Sequence, residues 1–313
     1  MTFEKQTVRS SRTLKFLLRV CISLCILIFF LYRSDIPTIK QLLRGVHWTV
    51  WCEGIFMYLL AQVLSTQRWR YLAHVMGFSG GFFHFLTMYF TGMFANLFLP
   101  SSVGGDAVRV ILLARRFRDV KGIMSVLLDR GIGLFAMLLL AAFFSLMPVV
   151  NLSVPLHFFL WSSVSFLMFG AITFPLLFSH LSKRYPGRWS GLTEYLSPLL
   201  LLYTSKAAWF WCFFISLMIQ LLGFLIGFVF TSALHMPLTF SQLVVSISLV
   251  TVLSLLPVSL NGLGLREGGL VYLLSMWGIP QEQALALGLF LFGVQCVCSL
   301  LGAFFYVFAW KGH

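Results

Sequence analysis

Two stretches, Leu99–Arg109 (LPSSVGGDAVR) and Leu256–Glu267 (LPVSLNGLGLRE), interrupt long hydrophobic sequence in the same manner. In each, a proline follows an apolar run, two glycines come next, and an arginine stands just beyond them. A matched pair of broken apolar segments, one in each half, is the mark of an inverted repeat whose half-helices turn back inside a bilayer. Such a chain cannot be a plain bundle of uninterrupted spans. Nor is it a soluble globule, because hydrophobic residues are 59% of the sequence and charged ones 10%, too little polar surface for a water-facing shell. The net charge of +13 does not call for a nucleic-acid partner. Its Lys and Arg residues sit in short clusters between apolar runs, as membrane loops carry them.

A spanning helix needs about 20 apolar residues. Six segments qualify: Leu14–Tyr32, Val46–Ser65, Gly122–Val149, His157–Leu181, Ala208–Leu234 and Ala284–Trp310. The first resembles a signal peptide in its basic flank, but it is long and lacks a small-residue cleavage site, so it is expected to remain as a span. With the N-terminus in the cytoplasm, Arg68/Arg70, Arg115–Lys121, Lys183–Lys206 and Lys311 are all cytoplasmic, and Arg33, Lys40 and Arg44 are left outside. Phe82–Leu99 and its return then enter and leave from the cytoplasmic face, while Leu238–Leu256 and its return Leu265–Trp277 do so from the outer face. The expectation is an all-α polytopic membrane protein of about six spanning helices plus two re-entrant hairpins in an inverted repeat. It is read as a single integral membrane domain over residues 1–313, with both termini cytoplasmic and the hairpin tips meeting near the midplane. Trp69–Gly77 and Thr193–Trp209 read as interfacial stretches.

Glu53, Asp106, Arg109, Asp129, Arg130, Arg266 and Glu267 cannot be placed in loops. Each costs about 2.5–3.5 kcal/mol at a helix centre, so each should face a cavity or a partner. In the first break, Pro100 ends the incoming helix, Gly104 and Gly105 permit reversal, and Asp106 is positioned to cap the returning helix. That helix start is an anion site in waiting, and Arg109, one turn in, adds a bidentate donor suited to phosphate. The second break repeats the parts: Pro257 stops a helix, Asn261 or Ser259 caps, Gly262 and Gly264 turn, and Arg266 stands early in the return beside Glu267. The alternative is that Asp106–Arg109 and Arg266–Glu267 are local ion pairs that hold the tips together. For Asp129 and Arg130, about two turns into a span, the alternative is snorkelling to the cytoplasmic interface. Glu53, near the outer end of its span, either pairs with an outer arginine or is protonated. No nucleotide-binding phosphate loop, esterase elbow or zinc-protease motif is present, and the six cysteines lie in apolar runs. No cofactor or metal is expected.

The segments Asn96–Arg109 (NLFLPSSVGGDAVR), Leu128–Gly133 (LDRGIG) and Leu255–Gly268 (LLPVSLNGLGLREG), in this order, resemble the flippase-like membrane family. This is the transmembrane region of lysylphosphatidylglycerol synthase, which also occurs in small stand-alone proteins. The resemblance implies a lipid-translocating or lipid-handling role in a prokaryotic cytoplasmic membrane, with no catalytic residue assigned. Full-length synthases add a soluble aminoacyl transferase domain, which is not expected in a sequence that stops at His313. The implied function is a flippase-like transporter whose partner is a membrane lipid with an anionic or phosphate head group, neutralised by Arg109 and Arg266 and attended by Asp106, Glu267, Asn261, Asp129 and Arg130. The alternative is a non-transporting membrane partner or anchor that presents a lipid or polyprenyl-phosphate sugar to a glycosyltransferase or hopanoid-pathway enzyme. A membrane-embedded transferase using a buried carboxylate is a third reading.

Overall fold

The computed structural model describes residues 25, 28–30, 32–99, 104–114, 120–184, 206–255 and 262–311. Ten bounded helices follow one another among them: α1 Ile36–Gly45, α2 Trp48–Val75, α3 Phe82–Phe98, α4 Gly104–Ala114, α5 Val120–Ser145, α6 Val154–Arg184, α7 Lys206–Ala233, α8 Phe240–Ser254, α9 Leu265–Ser275 and α10 Gln281–Lys311. The described residues contain no strand, as bilayer hydrocarbon demands of an open chain that must satisfy its own backbone.

Four stretches are long and apolar enough to cross a membrane: Val120–Ser145, Val154–Ala171, Ala207–Ala233 and Gln281–Val307. They coincide with four of the six expected spans. At 28 residues α2 also has the length, about 42 Å at 1.5 Å per residue, but Glu53 and Gln62 dilute its apolar character. Most of the span expected at Leu14–Tyr32 lies outside the described residues, as does most of the interfacial stretch expected at Thr193–Trp209. The other such stretch, Trp69–Gly77, is corrected. Its residues continue α2 to Val75, and Trp69 is fully buried rather than at a headgroup surface.

The two broken segments fold back on themselves. Helix α3 packs on α4 and α8 packs on α9, and the returning helices of 11 residues extend about 16 Å, half a bilayer. Contacts at the helix ends fix the faces. At one end of the molecule, Gln242 at the start of α8 donates to the Val149 carbonyl (3.0 Å), and Trp277 just after α9 donates to that of Val150 (2.8 Å). There too Gln281, opening α10, donates to the Ser34 hydroxyl (2.7 Å). At the other end the His74 ring pairs with the Gly80 carbonyl (3.1 Å) where α2 gives way to α3. A Cβ on Gly122, opening α5, would touch both Ala114 at the end of α4 and Phe78 before α3. The α3–α4 hairpin therefore enters from one face and the α8–α9 hairpin from the opposite one.

Helix α10 is the shared wall, packed on α3 and α9 as well as α1, α2 and α7. Bilayer lipid is as apolar as leucine, so association rests on close packing. Small residues supply it where α10 crosses α3: a Cβ at Gly302 would collide with the Phe90 carbonyl. Phe290 of α10 stacks on Phe230 of α7 with centroids 4.2 Å apart and tilts against Trp51 of α2 at 4.7 Å. At its start α8 is held by a reciprocal cap, with Thr239 accepting from the Gln242 amide and Gln242 Oε1 accepting from the Thr239 amide.

Candidate functional site

Arg109 lies in the first full turn and a half of α4, and the close approach of α3 is what encloses it. A Cβ at Gly92 would stand 2.8 Å from Arg109 Cγ and from the Gly105 carbonyl, and one at Gly105 would collide with the Gly92 carbonyl. Only glycine at both positions lets the two backbones touch. The Gly105 amide donates to Asn96 Oδ1 at 2.6 Å, so the start of α4 is capped from α3. The cap expected from Asp106 is corrected: α4 already begins at Gly104, and both Asp106 oxygens serve guanidinium groups.

Five charged residues form a continuous ladder. Arg68 Nε donates to Asp129 Oδ1 at 2.8 Å; Asp129 Oδ2 accepts from Arg109 Nη2 at 3.1 Å. Arg109 Nη1 reaches Asp106 Oδ1 at 3.2 Å, and Arg130 Nε reaches Asp106 Oδ2 at 2.8 Å. Three guanidiniums alternate with two carboxylates, leaving one positive charge in excess among these members. Arg68 also donates to the Ser216 hydroxyl of α7 (2.7 Å), and Gly133 of α5 leaves room for the guanidinium, since a Cβ there would stand 3.2 Å from Nη1. Arg109 is buried between the rings of Trp69 and Tyr89, whose centroids lie 4.1 and 4.3 Å from Cζ, and its Nε has no hydrogen-bond partner among the described residues. A desolvated cation between two aromatic faces gains about 2 kcal/mol or more from the ring quadrupoles. Snorkelling is corrected for Asp129, which is 1% exposed and faces inward to two arginines. Arg130, one residue on, turns about 100° around the helix; its side chain is 47% exposed although it holds Asp106.

The second break is built differently. Gly264 opens α9 at φ +82°, a left-handed conformation that favours glycine, and its amide donates to Glu267 Oε2 at 2.7 Å. Arg266 Nη2 holds Glu267 Oε1 at 2.7 Å, sits over the Phe292 ring at 5.1 Å, and reaches Gln295 at 3.5 Å. Glu267 is fully buried and Arg266 only slightly exposed. Gly262, at φ +79°, backs onto Ser254 of α8. Pro100, Pro257, Ser259 and Asn261 lie outside the described residues.

The ion pairs expected within each tip, Asp106–Arg109 and Arg266–Glu267, are both formed. Arg109 and Arg266 share no hydrogen-bonding partner among the described residues. Glu53 is exposed near the start of α2 and forms no ion pair among the described residues. Sequence reasoning missed Arg68, Trp69, Tyr89, Asn96, Ser216 and Gln295. For Arg68 a signal existed: it continues the stripe Gly54, Ala61, Ser65, Leu72 along one face of α2. The described residues contain no cluster suited to a metal ion.

Residues 16–302 match the family model described as lysylphosphatidylglycerol synthase TM region. No curated protein and no solved structure matches the chain.

Proposed function

Because the chain belongs to the lysylphosphatidylglycerol synthase TM region family, a membrane family related to lipid handling, we propose that it is a flippase-like transporter for a lipid with a phosphate-bearing head group. The observation that carries this reading is the excess positive charge of the Arg68–Asp129–Arg109–Asp106–Arg130 ladder inside a membrane protein. Buried ionisable residues in a bilayer are costly and mark pathways for polar cargo. An anionic head group supplies the negative charge that these five side chains lack among themselves. Arg130, whose side chain is half exposed, meets the phosphate first; Arg109 acts from behind as a fixed charge. Arg266 offers the matching donor on the opposed hairpin, held by Glu267 while the site is empty. Acyl or isoprenoid tails stay in the bilayer while the head group passes between the hairpins.

The test is leaflet accessibility of labelled anionic phospholipids and polyprenyl phosphates in proteoliposomes, comparing the native protein with Arg109→Ala, Arg130→Ala and Arg266→Ala at matched incorporation. Protein-dependent translocation reduced in all three variants supports the reading. A folded protein that binds these lipids and moves none of them overturns it, in favour of a non-transporting partner that presents lipid to another enzyme.

A further inference from the structure

Helix α1 joins helical residues ending at Tyr32 to the start of α2 at Trp48, so it lies along a membrane face rather than through it. Its sequence is built for that position. Ile39 is buried, and Leu42 and Leu43, with Val46 just beyond, pack into the main core, while Pro37, Lys40, Gln41, Arg44 and Gly45 line an open depression of about 540 Å³ on the other side. Lys40 and Arg44 are one turn apart, both exposed, and neither forms an ion pair or hydrogen bond among the described residues. The one acid of this segment, Asp35, accepts from the Thr38 hydroxyl at 2.6 Å. Tyr32 and Trp48, the residues that flank the helix, are both strongly exposed, and such aromatic rings settle at headgroup depth.

We infer that the Lys40–Arg44 face of α1 is a docking surface for the phosphate of an anionic phospholipid, separate from the buried charge ladder. Two uncompensated cations at i and i+4 match one phosphodiester, and the flanking apolar and aromatic side chains match the glycerol and upper acyl region below it. Topology does not account for these cations. On the orientation that the other basic clusters favour, they stand on the face from which Lys and Arg are normally depleted. The residues that lead into α1 pack on the second hairpin and its wall: the Phe30 ring lies so close to α9 that a Cβ on Gly268 would stand 2.6 Å from it, and Gln281 ties α10 to Ser34.

The experiment is native mass spectrometry of the full chain released from detergent, titrated separately with phosphatidylglycerol and phosphatidylcholine. Lys40→Gln and Arg44→Gln should each weaken the tightest phosphatidylglycerol binding about five-fold, the effect of one basic side chain at a charged surface. Phosphatidylcholine binding should stay unchanged, and Lys40→Arg should retain native affinity. Both side chains are exposed and make no described hydrogen bond, so the melting temperature of each variant should match the native protein. Unchanged phosphatidylglycerol affinity in the Lys40→Gln/Arg44→Gln double variant overturns the inference, as does an equal loss for both lipids. The readout is binding, so a protein that translocates nothing still tests this surface.

Discussion

Replacing Asp129 by asparagine removes the carboxylate that Arg68 and Arg109 share. Its two oxygens accept at 2.8 and 3.1 Å, and the side chain is 2% exposed. Asparagine keeps the volume and one acceptor, but its amide nitrogen then faces a guanidinium donor to donor. Breaking a buried ion pair by deleting one partner costs about 3–5 kcal/mol, because the remaining charge stays desolvated. Here two arginines lose their common counter-charge, so the upper half of that range is expected. Domains hold only about 5–15 kcal/mol in total, and the loss should be visible in reversible unfolding in mixed micelles. The informative comparison is the cycle of native protein, Asp129→Asn, Arg68→Gln and the double variant. In the double variant one cation leaves with the anion and the two amides can pair, so a coupling of about 2 kcal/mol is expected. A single-variant cost below about 1 kcal/mol, or a strictly additive cycle, would refute the claim that the ladder is a mutually neutralising unit.

Gly105→Ala should prevent α4 from docking on α3, because the new methyl collides with the Gly92 carbonyl; the expected readout is loss of the monodisperse folded peak in size-exclusion chromatography, while Gly131→Ala, with open space around it, should leave it intact. Trp69→Leu removes one of the two rings over Arg109 together with the indole bond to Ser125 at 3.2 Å, and a loss of about 3–5 kcal/mol is expected in the same unfolding assay. Glu267→Gln retains an oxygen for the Gly264 amide but leaves Arg266 without its counter-charge; translocation should fall at least ten-fold, with less loss of stability than Glu267→Ala.

The pairing of the two breaks was legible because prolines, glycines and arginines recur in one order, and counting basic clusters was enough to assign opposite entry faces. That geometry is present. What the sequence concealed was direction around a helix. Arg68 and Arg70 read as one cytoplasmic cluster, yet they point about 200° apart on α2, and Arg68 turns inward to Asp129. Asp129 and Arg130 read as one pair, yet they bind different partners. The cap of α4 comes from Asn96, nine residues before the amide it receives; local capping rules look forward along the chain and do not find it. Aromatic enclosure of Arg109 likewise depends on three helices meeting, which no spacing within one of them announces.

The packing of α3 against α10 has a consequence for the order in which the protein is made. Phe90 and Gly302, whose backbones touch, are separated by about two hundred residues, so the first hairpin leaves the ribosome long before its wall exists. Through that interval α3 and α4 have each other, α2 and α5 to lean on, and a stretch of lipid where α10 belongs. Long-range partners arrive slowly and leave early segments exposed to wrong ones. The first hairpin is thus complete only once α10 closes over it, and until α10 is made α3 carries an open flank that quality control can read.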